Sequence, residues 1–458
     1  MTDKIRKETK KLIDQALDKL YAYLRFPTIS AQHTAIHETV DFVKEMIEEL
    51  GGEVKILDDC GGNPVIYACF EAGEKADSTK TLLFYNHYDV QPPEPLEEWV
   101  TPPFEPTLIG DILYARGTSD NKGSLLTRLL AIRVLQSLDG GLPCQVKFLI
   151  EGEEEVGSPS LEGYLQKYQD LFQSDACIWE FGSKDEKERV VMDAGIKGMA
   201  YFEITCTGED IDMHSSLGAY VDNAAWRLVQ ALSSMKNKEN EILVEGFFDG
   251  ITEPTLREKE VVKTLPFDKD TIAKIYGLKR PLITESKEKD PRIAMVFEPT
   301  MTICGMYSGY TGEGSKTVLP KQAKAKLDCR LVLGQDPEHV RDCIRVHLDK
   351  EGFTDVQIEL INGQKAYRSD YDHPFLSLVK KSAEDAYQSD IVLWPNSAGT
   401  GPMYLFGENL SLPIVSTGVG WVESKAHAPN ESIRIKDFED CAVHMAYIMK
   451  GFSKALDQ

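Results

Sequence analysis

Basic residues are scarce beside acidic ones in this 458-residue chain: 51 Lys and Arg face 74 Asp and Glu, a formal charge of −23. Phosphate contacts need clustered Lys and Arg, so a nucleic-acid binder is not expected. The same balance excludes docking on an anionic membrane surface. Cysteine is also sparse and odd in number, nine with no CxxC pair. That excludes a disulfide framework and a thiolate zinc site, so any metal must be held by His and carboxylates. No apolar run approaches the roughly 18 residues of a membrane span. The N-terminus has no apolar h-region; Ile5, Leu12, Ile13, Leu17 and Leu20 instead mark one face of a helix. A cytoplasmic protein without a signal peptide is therefore expected. Internal repeats and low-complexity tracts are lacking too. What remains, 42% hydrophobic and 27% charged, is enough to bury a core in two or three domains.

The first part of the chain alternates strand and helix patterns. Thr81–Asn86, Cys144–Ile150 and Asp175–Trp179 read as strands, and Gly123–Leu138 as a helix with Leu126, Leu129, Leu130, Val134 and Leu135 on one stripe. This spacing predicts an α/β layer with a mainly parallel sheet. The style changes near Gly195–Gly198. Met199–Thr207 alternates as a strand, Asp222 is read as the cap of a helix over Asn223–Met235, and 237–299 is charged and turn-rich. In Ala323–Leu333 the residues Ala323, Ala325, Leu327, Cys329 and Leu331 share one face. Asp336 and Pro337 open another helix, Val356–Ile361 is a strand, and the last helix is placed at Phe438–Leu456. The expected organisation is a catalytic domain in two segments, 1–196 and 364–458, interrupted by an α+β domain at 197–363.

Five short stretches carry chemistry. His87-Tyr88-Asp89 leaves a strand, as a metal ligand with its orienting carboxylate can, though a turn with a surface His fits as well. Asp120 lies in Ala115-Arg116-Gly117-Thr118-Ser119-Asp120-Asn121-Lys122-Gly123, where a helix cap is the plainer reading. Glu151-Gly152-Glu153-Glu154-Glu155 places four acids within five residues after a strand, costly unless cations neutralise them. Either a solvated loop or a metal-and-base pair fits this run. Glu180 ends a strand, and His427 stands in Ala426-His427-Ala428-Pro429-Asn430-Glu431. Together they offer enough His and carboxylate ligands for two metals sharing one carboxylate, of a kind that suits zinc, manganese or cobalt.

The set HYDVQP, PFEP, ARGTSDNKG, EGEEEVGS and HAPNE resembles the co-catalytic zinc peptidases, the family of carnosine dipeptidase, aminoacylase, glutamate carboxypeptidase and succinyl-diaminopimelate desuccinylase. The resemblance implies a zinc-peptidase-like α/β catalytic domain with a ferredoxin-like lid and dimerisation domain, and two divalent ions per chain. It makes His87 and Glu180 ligands of one metal, Glu155 and His427 ligands of the other, and Asp120 the bridge. Glu154 becomes the general base and Asp89 the residue that orients His87, while Glu153 is left to solvent. His214, in Asp212-Met213-His214-Ser215-Ser216, resembles the lid histidine that stabilises the oxyanion in the partner subunit's site. Thr317, Arg330 and Thr400 resemble the residues that hold the substrate's C-terminal carboxylate. Two departures stand out. Asn396-Ser397-Ala398-Gly399-Thr400-Gly401 lacks the arginine of the family's loop, and position 180 is Glu where dipeptidases tend to carry Asp.

The implied activity is metal-dependent hydrolysis of dipeptides or short peptides with a free C-terminus, in a homodimer joined through the lid. A carboxypeptidase or N-acyl-amino-acid deacylase is the alternative, favoured by Glu180. A catalytically dead peptide-binding homologue is the third reading.

Overall fold

The structure is a computed structural model and describes residues 2–74, 76 and 79–455. In chain order the strands used below are β1 (Glu53–Leu57), β2 (Val65–Phe70), β3 (Thr81–His87), β4 (Gln145–Glu151), β5 (Ala176–Trp179), β6 (Gly198–Thr207), β7 (Thr302–Ser308), β8 (Gln322–Leu331), β9 (Gln357–Gln364) and β10 (Ile414–Ser416). The helices are α1 (Thr2–Leu24), α2 (Ile36–Glu48), α3 (Lys122–Asp139), α4 (Ala224–Met235), α5 (Pro337–Lys350), α6 (Pro374–Tyr387) and α7 (Ile435–Ala455). Leu456, the expected end of the last helix, lies outside the described residues.

Two compact units result. One comprises Met1–Gly195, Arg368–Asn396 and Leu405–Gln458; the other comprises Ile196–Tyr367 and Ser397–Tyr404. The second unit thus takes a segment expected in the catalytic part. Hydrogen bonding explains it: the Lys197 backbone N–H donates to the Gly399 carbonyl at 3.0 Å, and the Thr400 side-chain hydroxyl to the Gly198 carbonyl at 3.4 Å.

The first unit is built on a six-stranded sheet in the order β1-β2-β4-β3-β5-β10. The four strands β4, β3, β5 and β10 run parallel, while β1 and β2 are antiparallel to their neighbours. β3 and β5 are buried along nearly their whole length, as strands covered on both faces are. Leu82, Phe84, Phe148 and Ile178 join α1, α3 and α7 in one core. Parallel pairing has a direct consequence for the site. It brings the carboxyl ends of β3, β4 and β5 to one edge, with His87 in register with Glu151.

The second unit is a four-stranded antiparallel sheet, β7-β8-β6-β9, with α4 and α5 packed against it. The element order β6-α4-β7-β8-α5-β9 in this strand order is the ferredoxin-like arrangement. β8 alternates as its sequence predicts, with Ala323, Ala325, Leu327, Cys329 and Leu331 buried. On its other face Lys324 and Lys326 both pair with Glu203. One cap differs from expectation. Asn223, not Asp222, caps α4, because its side-chain oxygen accepts the Ala225 and Trp226 N–H groups. The turn-rich stretch between α4 and β7 holds three short helices, Leu256–Thr264, Lys269–Tyr276 and Pro291–Phe297.

A buried acid outside the site gives a stability prediction. Asp193 is pushed up to about 7 by burial, against a hydrogen bond with Ser416. The folded state therefore keeps a proton that the unfolded chain releases above pH 4. This contribution is full below pH 4 and is lost as pH rises through 7, a cost of up to about 4 kcal/mol. Asp193→Asn should flatten the pH dependence of stability, with its advantage over the native chain growing between pH 5 and pH 8. Denaturant melts at the two pH values check this.

Candidate active site

Asp120 is the centre of the site. One of its carboxylate oxygens, Oδ1, lies 2.9 Å from Nε2 of His87. The other, Oδ2, lies 2.9 Å from Nε2 of His427. His427 Nε2 is also 3.2 Å from Oε2 of Glu155. Ligand atoms of His87, Asp120 and Glu155 all fall within 4.8 Å of one another. The two histidines thus sit on opposite oxygens of one carboxylate, with Glu155 beside the second.

His87 is fully buried at the end of β3. Its Nδ1 is 3.0 Å from the Asp89 carbonyl and 3.4 Å from Asp89 Oδ1. The backbone carbonyl is the tighter contact, so Asp89 orients the ring through main chain and side chain together. The Asp89 carboxylate has a second task, since its Oδ2 accepts the Glu155 N–H at 3.1 Å. Gln91 adds a hydrogen bond to Glu155 Oε2 at 2.9 Å. Glu180 follows β5, and its Oε2 accepts from the Asn121 side chain at 2.9 Å. Asn121 therefore links Glu180 to the residue beside Asp120.

The charges respond to this crowding. Burial pulls the His87 pKa down, but its bonds to Asp120 and Asp89 outweigh that and raise it well above the usual range. Asp120 goes the other way, held well below the carboxylate range because the two imidazoles outweigh its burial. Burial, with the neighbouring carboxylates adding to it, pushes Glu154 well above its ordinary value and Glu180 up to about 7. Glu155 is raised for the same reasons. Three carboxylates that burial drives toward neutrality, gathered around the ionised Asp120, ask for nearby positive charge. With two imidazoles and no thiol, this donor set fits divalent metal ions.

Three residues that sequence reasoning passed over hold the site in shape. Glu431, fully buried, accepts the backbone N–H groups of Gly117, Ser119 and Asp120 at 2.8–2.9 Å. It also pairs with the buried Arg116 at 2.9 Å. The conjunction of Arg116 in one motif and Glu431 in the other was the available clue. Arg128, inside α3, donates to the carbonyls of Tyr85 and Trp179, which anchors the helix to the ends of β3 and β5. Glu151 is buried, bonded to the Tyr85 and Ser158 hydroxyls, and pushed up to about 8 by burial. Gly117 has a φ of +85°, and a Cβ there would lie 2.8 Å from Val90, so the turn before Asp120 requires glycine. Asp120 is no helix cap; Asn121 holds the N-cap position of α3.

The remaining predicted residues lie in the second unit. Arg330 donates to the Thr400 hydroxyl at 2.7 Å and to Asp328 at 3.0 Å. Thr317 is not with them but with His214, 3.2 Å from its Nε2. His214 Nδ1 meets the Ser216 hydroxyl at 2.8 Å.

Residues 83–451 match the family model described as Peptidase family M20/M25/M40, and the chain belongs to that family. It is a metallopeptidase by membership. The chain is similar to the Cys-Gly metallodipeptidase dug1 of Schizosaccharomyces pombe, 26% identical over 464 residues and 95% of each chain. It is also similar to the Beta-Ala-His dipeptidase of Rattus norvegicus, 25% identical over 361 residues, 77% of this chain and 73% of that one. Among solved structures, the M20 family metallo-carboxypeptidase Sso-CP2 from Sulfolobus solfataricus matches with a TM-score of 0.88 and 37% identity, covering 96% of this chain and 99% of that one. The family expected from the motifs is thus confirmed, as is the α/β fold with its inserted α+β unit. Among the described residues no helix is long and apolar enough to cross a membrane.

Proposed function

We propose that this chain hydrolyses the amide bond of dipeptides or short peptides with a free C-terminal carboxylate, using two divalent ions. The observation that carries this reading is the shared carboxylate of Asp120, one oxygen on His87 and the other on His427. In it, His87 and Glu180 would hold one ion and Glu155 and His427 the other, with Asp120 serving both. When bound, such ions lower the pKa of a water toward neutrality and polarise the scissile carbonyl, and zinc, manganese and cobalt all suit the ligands. Glu154 takes the proton of the attacking water and delivers it to the leaving amine. Asp89 keeps the His87 ring in place throughout. Arg330, Thr317 and Thr400 are assigned to the substrate's carboxylate, and His214 to the oxyanion formed in a second copy of the chain.

A homodimer joined through the second unit belongs to this reading. Its support is the exposed apolar side chains there, Trp226 and Val229 on α4 and Ile303, Met306 and Tyr307 on the edge strand β7. A cytoplasmic location is also part of it, supported by nine cysteines that stand as free thiols.

The second reading, a carboxypeptidase or N-acyl-amino-acid deacylase, draws support from Glu180 and from the 37% identity to the Sulfolobus metallo-carboxypeptidase. A paired assay separates the two. A free-amine dipeptide and its N-acetylated twin are compared, each with and without a chelator. The expected result is faster loss of the free dipeptide, abolished by the chelator and restored by added divalent metal. Faster loss of the acetylated twin would select the second reading, and chelator-insensitive turnover would remove the metals from both.

A further inference from the structure

The second unit carries an open cavity of about 810 Å³ whose lining runs against the charge of the whole chain. The chain carries −23, yet this lining has seven cationic side chains and a single carboxylate. That carboxylate, Glu298, is taken by Lys289 at 2.7 Å. Arg330 is shared with Asp328 and Thr400. Among the described residues Lys197, Lys236, Lys279, Arg280 and Lys287 have no ion-pair partner. Lys197 is almost fully buried, and its ammonium is met by a backbone carbonyl, that of Glu298, at 2.6 Å. Lys236 likewise meets the Met301 carbonyl at 2.9 Å.

Lys197 and Arg330 are near enough to repel, as are Lys236 and Lys287, and burial adds to the penalty on both lysines. Lys279 and Arg280 are consecutive. The rest of the lining is mostly apolar, including Phe267, Ile272, Leu282 and Met295. Holding like charges around an apolar chamber is unfavourable unless an anion joins them. The volume is that of a small-molecule site, about 300–1,000 Å³.

We propose that this cavity binds a small organic acid carrying two carboxylate groups. Two sources share that chemistry. One is a free dicarboxylate; the other is a substrate whose C-terminal residue is Asp or Glu, with its α- and side-chain carboxylates. The second source rests on the assignment of Arg330 to the substrate's C-terminal carboxylate, because Arg330 also lines the cavity.

The experiment titrates the metal-loaded protein calorimetrically with glutarate and with its neutral diamide. It does so for the native chain and for Lys279→Gln/Arg280→Gln, both exposed positions, with melting temperature as the folding control. Glutarate should bind the native chain and lose about tenfold or more in affinity in the double variant, since each lost charge-assisted hydrogen bond is worth that order. Lys279→Arg should retain binding. Equal glutarate affinity in the native chain and double variant would overturn the proposal, leaving only carboxylate held at the metals. The kinetic arm compares dipeptides ending in Glu and in Gln. A preference for Glu that shrinks in the double variant, with glutarate competing, assigns the site to substrate. Glutarate binding without competition assigns it to a free dicarboxylate. If neither dipeptide is cleaved while the calorimetric loss persists, the hydrolase reading fails and the anion site stands.

Discussion

Glu154→Ala should keep its metal and lose nearly all turnover, with kcat down by about 10²–10⁴-fold, the usual worth of a general base. The argument is positional. Glu154 follows Gly152 and Glu153 in the turn after β4, and its carboxylate feels His87, Glu155, Glu180 and Asp120. It stands outside the tight cluster of His87, Asp120 and Glu155, so removing it should spare the ligands. A carboxylate among the ligands but not of them is placed to move a proton. Metal analysis and steady-state kinetics on the same preparation decide the point. Native rates in the variant would end the assignment as base, whereas loss of metal would make Glu154 a ligand.

Glu431→Ala should be the most damaging change outside the ligand set. Its carboxylate gathers three backbone N–H groups of the turn that presents Asp120, and it neutralises Arg116, which is 1% exposed. Deleting it strands a buried guanidinium, which costs about 3–5 kcal/mol. It also releases the turn, and losing such support behind a ligand lowers metal affinity about 10–100-fold. A large fall in Tm together with weaker metal retention against a chelator is the expected pair of results. An unchanged Tm with native metal affinity would show that the turn holds Asp120 without the clamp. Glu431→Gln should fall between, because an amide oxygen still accepts from the backbone while the charge on Arg116 goes uncompensated.

The motifs led to the right family because chemistry constrains residue type and local spacing together. His87 and Asp89 flank a strand end, Glu154 and Glu155 follow another, and both facts are visible in a line of text. Residues whose role depends on distant partners were harder to see. Glu431 reads as an acid in a surface loop until it is folded against Arg116, more than 300 positions earlier. Arg128 sits in an apolar helix stripe and looks out of place until the ends of β3 and β5 arrive beside it. The motif does not show what stands beside Thr317; strand pairing of His214 with Val318 brings its hydroxyl to His214.

Local patterning carries the main strands and helices, the break in style near residue 196, and the chemical character of the site: imidazole and carboxylate, no thiol. Those properties are local, written in periodicity of two or 3.6 and in side-chain chemistry. The remainder comes from how the chain packs. Packing set Asp120 between two histidines, drew 397–404 into the inserted unit through hydrogen bonds to Lys197 and Gly198, and gathered cations from distant segments around one cavity. Each of these depends on contacts between residues far apart in the chain, and no local pattern encodes them.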